Sequence, residues 1–119
     1  MRDAIRAEFS AIEPYDQLER EHLADAFAWI DSGAVLCRIS KPAIPAKHLV
    51  SYFVVVDGTD LLLVDHKSAQ LWLPTGGHVE PVEHPRATVL RELKEELGVV
   101  SASKVAAPLM VTCTDVDIR

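Results

Sequence analysis

A chain of 119 residues, 49% apolar and 25% charged, suffices for one compact domain with a single core and is too short for two. Its net charge of −6, with no basic block, excludes a polynucleotide partner on grounds of repulsion and leaves room for a small phosphorylated ligand screened by cations. No apolar run approaches the roughly 20 residues of a membrane span and the N-terminus lacks a signal-peptide pattern, so no membrane association and a soluble, cytoplasmic protein are expected.

Ile5, Phe9 and Ile12 recur at helical spacing before Pro14, and Leu18, Leu23, Phe27 and Ile30 repeat the pattern up to Gly33. Two helices are predicted, the second amphipathic. From Ala34 to Lys47, prolines and basic residues break any period, which marks an extended connector. Cys37, within it, and Cys113 lack metal-ligand spacing and read as buried thiols of a reducing compartment.

The pattern changes at His48. Val50 to Asp57 is rich in β-branched and aromatic residues, Gly58-Thr59-Asp60 has turn chemistry, and Leu61 to Val64 is a second apolar run; together they predict a hairpin in a buried sheet. Leu71 to Leu73 makes a short third strand closed by Pro74. Pro85 to Leu97 has helical composition, ended by Gly98, and Ala107 to Cys113 is the last predicted strand. The expected organisation is residues 1–47 as helices and connector and residues 48–119 as the sheet-bearing domain, within one compact whole.

On a helical wheel of residues 85–97, Ala87, Leu90, Leu93 and Leu97 fall within roughly 120° and Glu92, Glu95 and Glu96 gather opposite them. Glu92 precedes Glu95 and Glu96 by three and four residues, where like charges cost a few tenths of a kcal/mol per pair, and all three lie toward the negative end of the helix dipole. A solvated face moderated by Arg91 and Lys94 is one reading of this crowding. The other is a Mg²⁺ or Mn²⁺ ion held between carboxylates and phosphate oxygens. The preceding Leu73-Pro74-Thr75-Gly76-Gly77 favours the second, because a glycine pair lets the backbone turn tightly and present a carbonyl.

Gly77, Glu83 and the run Arg91-Glu92-Leu93-Lys94-Glu95-Glu96-Leu97-Gly98-Val99 together match every fixed position of the Nudix box, and the chain resembles the Nudix hydrolase family. The resemblance is tight over residues 77–99, looser from about residue 48 to 113, and does not reach the first 47. It implies an α/β (α+β) fold, a mixed sheet sandwiched between helices, here with an N-terminal helical extension and a shortened C-terminal part. It also implies metal-dependent hydrolysis of a nucleoside diphosphate linked to another moiety, such as a nucleoside triphosphate, a nucleotide sugar or a dinucleotide. Carried over by position, Gly77, Glu92, Glu95 and Glu96 are the metal ligands, Glu92 activates water, Arg91 orients the glutamates and Glu83 braces the loop. Activity is expected to favour neutral to alkaline pH.

Outside the box, His78 is the loop histidine best placed to reach a phosphate, ahead of His48, His66 and His84. Trp72, Tyr52 and Phe53 offer aromatic faces to a base, and Trp72, alternating with Leu71 and Leu73, is the best placed of them. Val82 occupies a position where relatives often carry glycine. The twenty residues after Val99 are few for the strands and helix that relatives add there, so a homodimer covering the uncovered side is expected, or a longer parent enzyme. Asp115 and Asp117 are stand-ins for an acidic ligand usually found in that part. The alternative to an enzyme is a Nudix-fold nucleotide-binding or regulatory module.

Overall fold

The computed structural model describes residues 1–41, 43–98 and 105–115. Two compact units are present: Met1–Leu36 with the segment that begins at Ala106, and Cys37–Val105. The connector residues from Cys37 onward thus cluster with the sheet-bearing part of the chain.

In the first unit, α1 (Arg2–Ala11) and α2 (Gln17–Asp31) bury Ile5, Phe9, Ile12, Ala26 and Ile30. Phe9 meets Phe27 edge-on at 6.0 Å between ring centres, a geometry that aromatic quadrupoles favour. Asp16 caps α2 by accepting the Glu19 amide at 2.9 Å, which satisfies one of the helix's orphan donors. At the other end, Arg2 donates to the carbonyls of Ile30 and Ala34 at 2.9 and 2.6 Å, placing a cation at the negative pole of α2. Leu18, expected on the apolar face, lies in the first turn of α2 and is exposed.

Ala107 to Cys113 does not form the expected strand: residues 105–115 have no regular secondary structure. A strand needs a ladder partner, and the Cys113 amide instead donates to His22 Nδ1 at 3.0 Å. Leu109 and Met110 are exposed. Cys37 and Cys113 are free thiols, half-buried, and burial, then the charge of Glu83, pushes the Cys37 thiol up.

Among its described residues the second unit holds three extended segments, each broken once. Val50–Phe53 (β1) and Val55–Asp57 (β2) break at Val54; Asp60–Leu62 (β3) and Val64–His66 (β4) break at Leu63; Leu71–Leu73 (β5) and Thr75–His78 (β6) break at Pro74. At the breaks the segments change partners. β2 pairs with β3, β4 with β5, and β1 with β6, all antiparallel. Proline has no amide to donate, which accounts for the interruption at Pro74. The expected hairpin about Gly58-Thr59 is the β2–β3 pair, with Val55 opposite Leu62.

Helix α3 (Pro85–Leu97) packs on β1 and β6. It starts as the sequence predicts, with Pro85 in the first turn and His84 Nδ1 accepting the Arg86 amide at 3.1 Å. It ends at Gly98 with φ +68°, a left-handed cap that glycine takes without a Cβ clash. The buried face differs from the wheel. Thr88 and Leu93 are buried, Leu90 and Leu97 half-buried, and Ala87 exposed. Thr88 lies one turn before Glu92, so α3 turns part of its carboxylate face toward the sheet.

Candidate active site

The reason for that rotation is visible at β6. Gly76 and Gly77, read from the sequence as a tight turn, are instead strand residues opposite Tyr52 and Ser51. What each position needs is the absence of a side chain. A Cβ on Gly76 would lie 2.5 Å from the Ser51 carbonyl oxygen, and one on Gly77 would run into the Glu92 carboxyl. Glycine in a strand often marks such a close approach, and here it brings a box glutamate against the strand.

Arg91 joins the rest. Its Nε and Nη2 donate to Glu83 Oε2 and Oε1 at 3.1 and 3.0 Å, Nη1 donates to Glu92 Oε1 at 3.0 Å, and Nη2 also donates to the His78 carbonyl at 3.1 Å. Glu95 Oε2 lies 3.8 Å from Nη1. The guanidinium fork suits such two-pronged contact with a carboxylate. Glu83 completes its shell with the Thr88 hydroxyl at 2.7 Å and the Glu80 amide at 3.1 Å. The Arg91 guanidinium above all, then Thr88 and the Glu80 amide, hold the Glu83 carboxyl at about 2, against the opposing effect of burial. In return Glu83, and behind it Glu92 and Glu80, raises Arg91. Glu83 is thus the locked partner of Arg91, at the end of a turn that closes with the Glu83 amide on the Glu80 carbonyl at 3.0 Å.

That turn carries Pro81 and then Val82 at φ +59°, the marks of a type II turn. A positive φ at its third position explains why glycine suits the place of Val82. The Val82 side chain is 92% exposed, so nothing packs on it in return.

The other predicted residues divide. Glu92 is largely buried, 12% exposed, whereas Glu95 and Glu96 are exposed. His78 is at the end of β6, its Nδ1 3.0 Å from His48 Nε2. Burial, then the charges of Arg38, His48 and Lys41, lowers His78. Trp72 stands on β5, 66% exposed, outside the set that Arg91 joins, and Tyr52 is 69% exposed. His66 and His84 accept backbone amides in a turn and a helix cap. Asp115 is exposed; Val99 and Asp117 lie outside the described residues.

Two contributors escape a sequence reading. Thr88 looks like an ordinary helix residue until its full burial against Glu83 is seen; its one signal is its place on the carboxylate face. His48 and His78 are thirty residues apart and meet only because Val50 pairs with His78 across the β1–β6 ladder.

For a divalent cation the donors are of the right kind, hard carboxylate and carbonyl oxygens, and the space above Gly77 is filled by a carboxylate. Among the described residues no three His, Cys, Asp or Glu side chains converge as a ready-made cation site. Glu92 is paired with Arg91, and Glu95 and Glu96 point from exposed positions on the same helix.

In this α+β unit one arginine locks a loop to a glutamate-bearing helix. A family model for the NUDIX domain matches residues 47–115, and the chain belongs to the Nudix family. That domain supports, in general, hydrolysis of a nucleoside diphosphate linked to another moiety and a small nucleotide-like substrate, and the family generally uses divalent metals. No curated protein and no solved structure matches the chain. Among the described residues no helix is long and apolar enough to cross a membrane.

Proposed function

We propose that the protein is a Mg²⁺-dependent diphosphatase, with Mn²⁺ as a substitute, that cleaves the diphosphate linkage of a nucleoside triphosphate, nucleotide sugar or dinucleotide. The observation that carries this reading is the close approach of Glu92 to Gly77, with Arg91 fixing both the carboxylate and the loop. Crowded carboxylates cost helix stability, and a binding module gains nothing from keeping them. Glu92, Glu95, Glu96 and the Gly77 carbonyl are the residues that would hold the ion. When bound, the ion neutralises charge on phosphate oxygens and makes water more acidic.

The protein's own part is orientation and proton transfer. Water adds to phosphorus, the P–O anhydride bond breaks, and the water's proton passes to Glu92. Glu92 Oε1 accepts from Arg91, so Oε2 is the oxygen that takes the proton. His78 and the exposed face of Trp72 are proposed to meet phosphate and base. A homodimer is part of the same reading; a monomer by sedimentation removes it.

The test is a panel of the three substrate types with Mg²⁺ or Mn²⁺, following release of phosphate, pyrophosphate or nucleoside monophosphate, with Glu96→Gln run in parallel. Turnover that EDTA abolishes and the substitution cuts is expected. Equal turnover in both proteins removes Glu96 from the mechanism, and nucleotide binding without turnover of any substrate selects the binding module.

A further inference from the structure

A cleft of about 290 Å³ lies between the connector and the end of β6, with Arg38, Ser40 and Lys41 on one wall and His78, Glu80 and Pro81 on the other. The second wall begins one residue after Gly77. The first precedes the residues that match the family model, 47–115, so that side of the cleft comes from outside the matched domain. Two basic side chains on one wall stand out in a chain of net charge −6. The one carboxylate among these six, Glu80, has Arg91 Nη2 at 4.0 Å, which offsets part of its charge.

Both walls are held. The Ile39 and Ser40 amides donate to the Ile44 carbonyl at 2.8 and 3.2 Å, and the Ile44 amide donates back to Ser40 at 3.0 Å. Opposite, Val79 is fully buried, with its amide on the Leu49 carbonyl at 3.2 Å, and Arg91 grips the His78 carbonyl. His48 ties the walls together, with Nδ1 2.8 Å from the Pro45 carbonyl and Nε2 3.0 Å from His78 Nδ1.

We propose that this cleft is a second anion subsite, in which Lys41 and Arg38, facing His78 across the cleft, hold a phosphate of the substrate beyond the diphosphate that is cleaved. The identity of that ligand as substrate rests on the diphosphatase reading above. The volume lies at the small end of ligand sites and suits a phosphate with the few atoms that carry it. Two compounds bring such a group: a nucleoside triphosphate, by its terminal phosphate, and phosphoribosyl diphosphate, by its sugar monophosphate. A nucleotide sugar with a neutral sugar brings none.

Lys41 is exposed, so Lys41→Ala should leave the fold intact. The first measurement is calorimetric titration of inorganic phosphate and pyrophosphate in EDTA, into wild type, Lys41→Ala and the charge-matched control Lys67→Ala. Expected is weak binding that falls about tenfold in Lys41→Ala and holds in Lys67→Ala, as for a lost charged hydrogen bond. No binding to wild type, or equal binding in all three, overturns the subsite. The second compares kcat/KM for the three substrates. A loss in Lys41→Ala about tenfold greater for one or both phosphate-bearing compounds than for the nucleotide sugar supports the subsite and tells which source it takes; equal losses overturn it. Lys41-dependent anion binding without turnover would sink the diphosphatase reading and leave the anion site, whereas turnover indifferent to Lys41 would do the reverse.

Discussion

Arg91 presents a planar fork of donors, and its hydrogen bonds run to the loop it must hold and to the helix it stands on. Lysine keeps the charge and loses the fork. Arg91→Lys is therefore expected to cut kcat by about 10–100-fold, as for other residues that orient a reacting carboxylate, while near-native circular dichroism shows the fold retained. Glu83 gives a pH signature of its own. Its carboxyl sits at about 2 in the folded chain against an ordinary 4.5, so the ionised form favours folding. That contribution is complete above about pH 4.5 and is lost as pH falls toward about 2. Glu83→Gln should remove this part of the acid sensitivity and cost about 1–3 kcal/mol at neutral pH, by leaving Arg91 imperfectly paired; denaturant melts at pH 7, 4 and 3 measure both effects.

The turn before α3 and the strand before the turn each carry a steric statement. Val82 holds a β-branched side chain at φ +59° with no packing to offset it, a conformation that costs an L-residue roughly 1–2 kcal/mol. Val82→Gly should relieve that strain; part of the gain is lost because glycine also makes the unfolded chain more flexible. A midpoint of denaturation unchanged or higher is expected, where glycine at an ordinary exposed site would lower it. At Gly77 the opposite holds. Gly77→Ala drives a methyl into the Glu92 carboxyl, an overpacking that costs about 1–3 kcal/mol. It should also depress turnover, because Glu92 or β6 must move; native stability and activity in that variant would refute the close approach. Both features sit in the box, yet one is a backbone conformation and the other a contact between a strand and a helix.

For the molecule as a whole, the net charge of −6 with glutamates gathered on one helix face sets up a prediction from the proposed function, in which a cation held by those glutamates stabilises the fold. An ion bound to the folded chain at a hundred times its Kd adds about 2.7 kcal/mol by mass action. Mg²⁺ should raise the thermal midpoint of wild type, and Glu92→Gln should shrink that rise; a calcium-free, magnesium-free melt against one in excess Mg²⁺ reads it directly. The prediction needs no turnover, so it separates ion binding from hydrolysis. In the helical unit, Ile30 is 1% exposed, and Ile30→Ala should cost about 2–5 kcal/mol, read as a lower denaturant midpoint for loss of helical signal.

Local chemistry made α1, α2 and α3 legible, because their apolar spacing, Pro85 and Gly98 act within a turn or two of themselves. The hairpin about Gly58-Thr59 was legible for the same reason, and so was the box, a run of fixed positions along one segment. The strand expected at Ala107 to Cys113 failed because a ladder requires a partner that composition does not specify. The glycine pair was misread as a turn because its need is for space beside Glu92 and Ser51, which appears only once helix and sheet are packed. Thr88 in the Glu83 shell, His48 beside His78, and the cleft that brings Lys41 next to β6 are likewise products of tertiary contact. The sequence by itself determined the box and the order of its residues along one segment; the packing of α3 on β1 and β6 decided which of them meet, since close approach is set by what lies opposite rather than by what lies next in the chain.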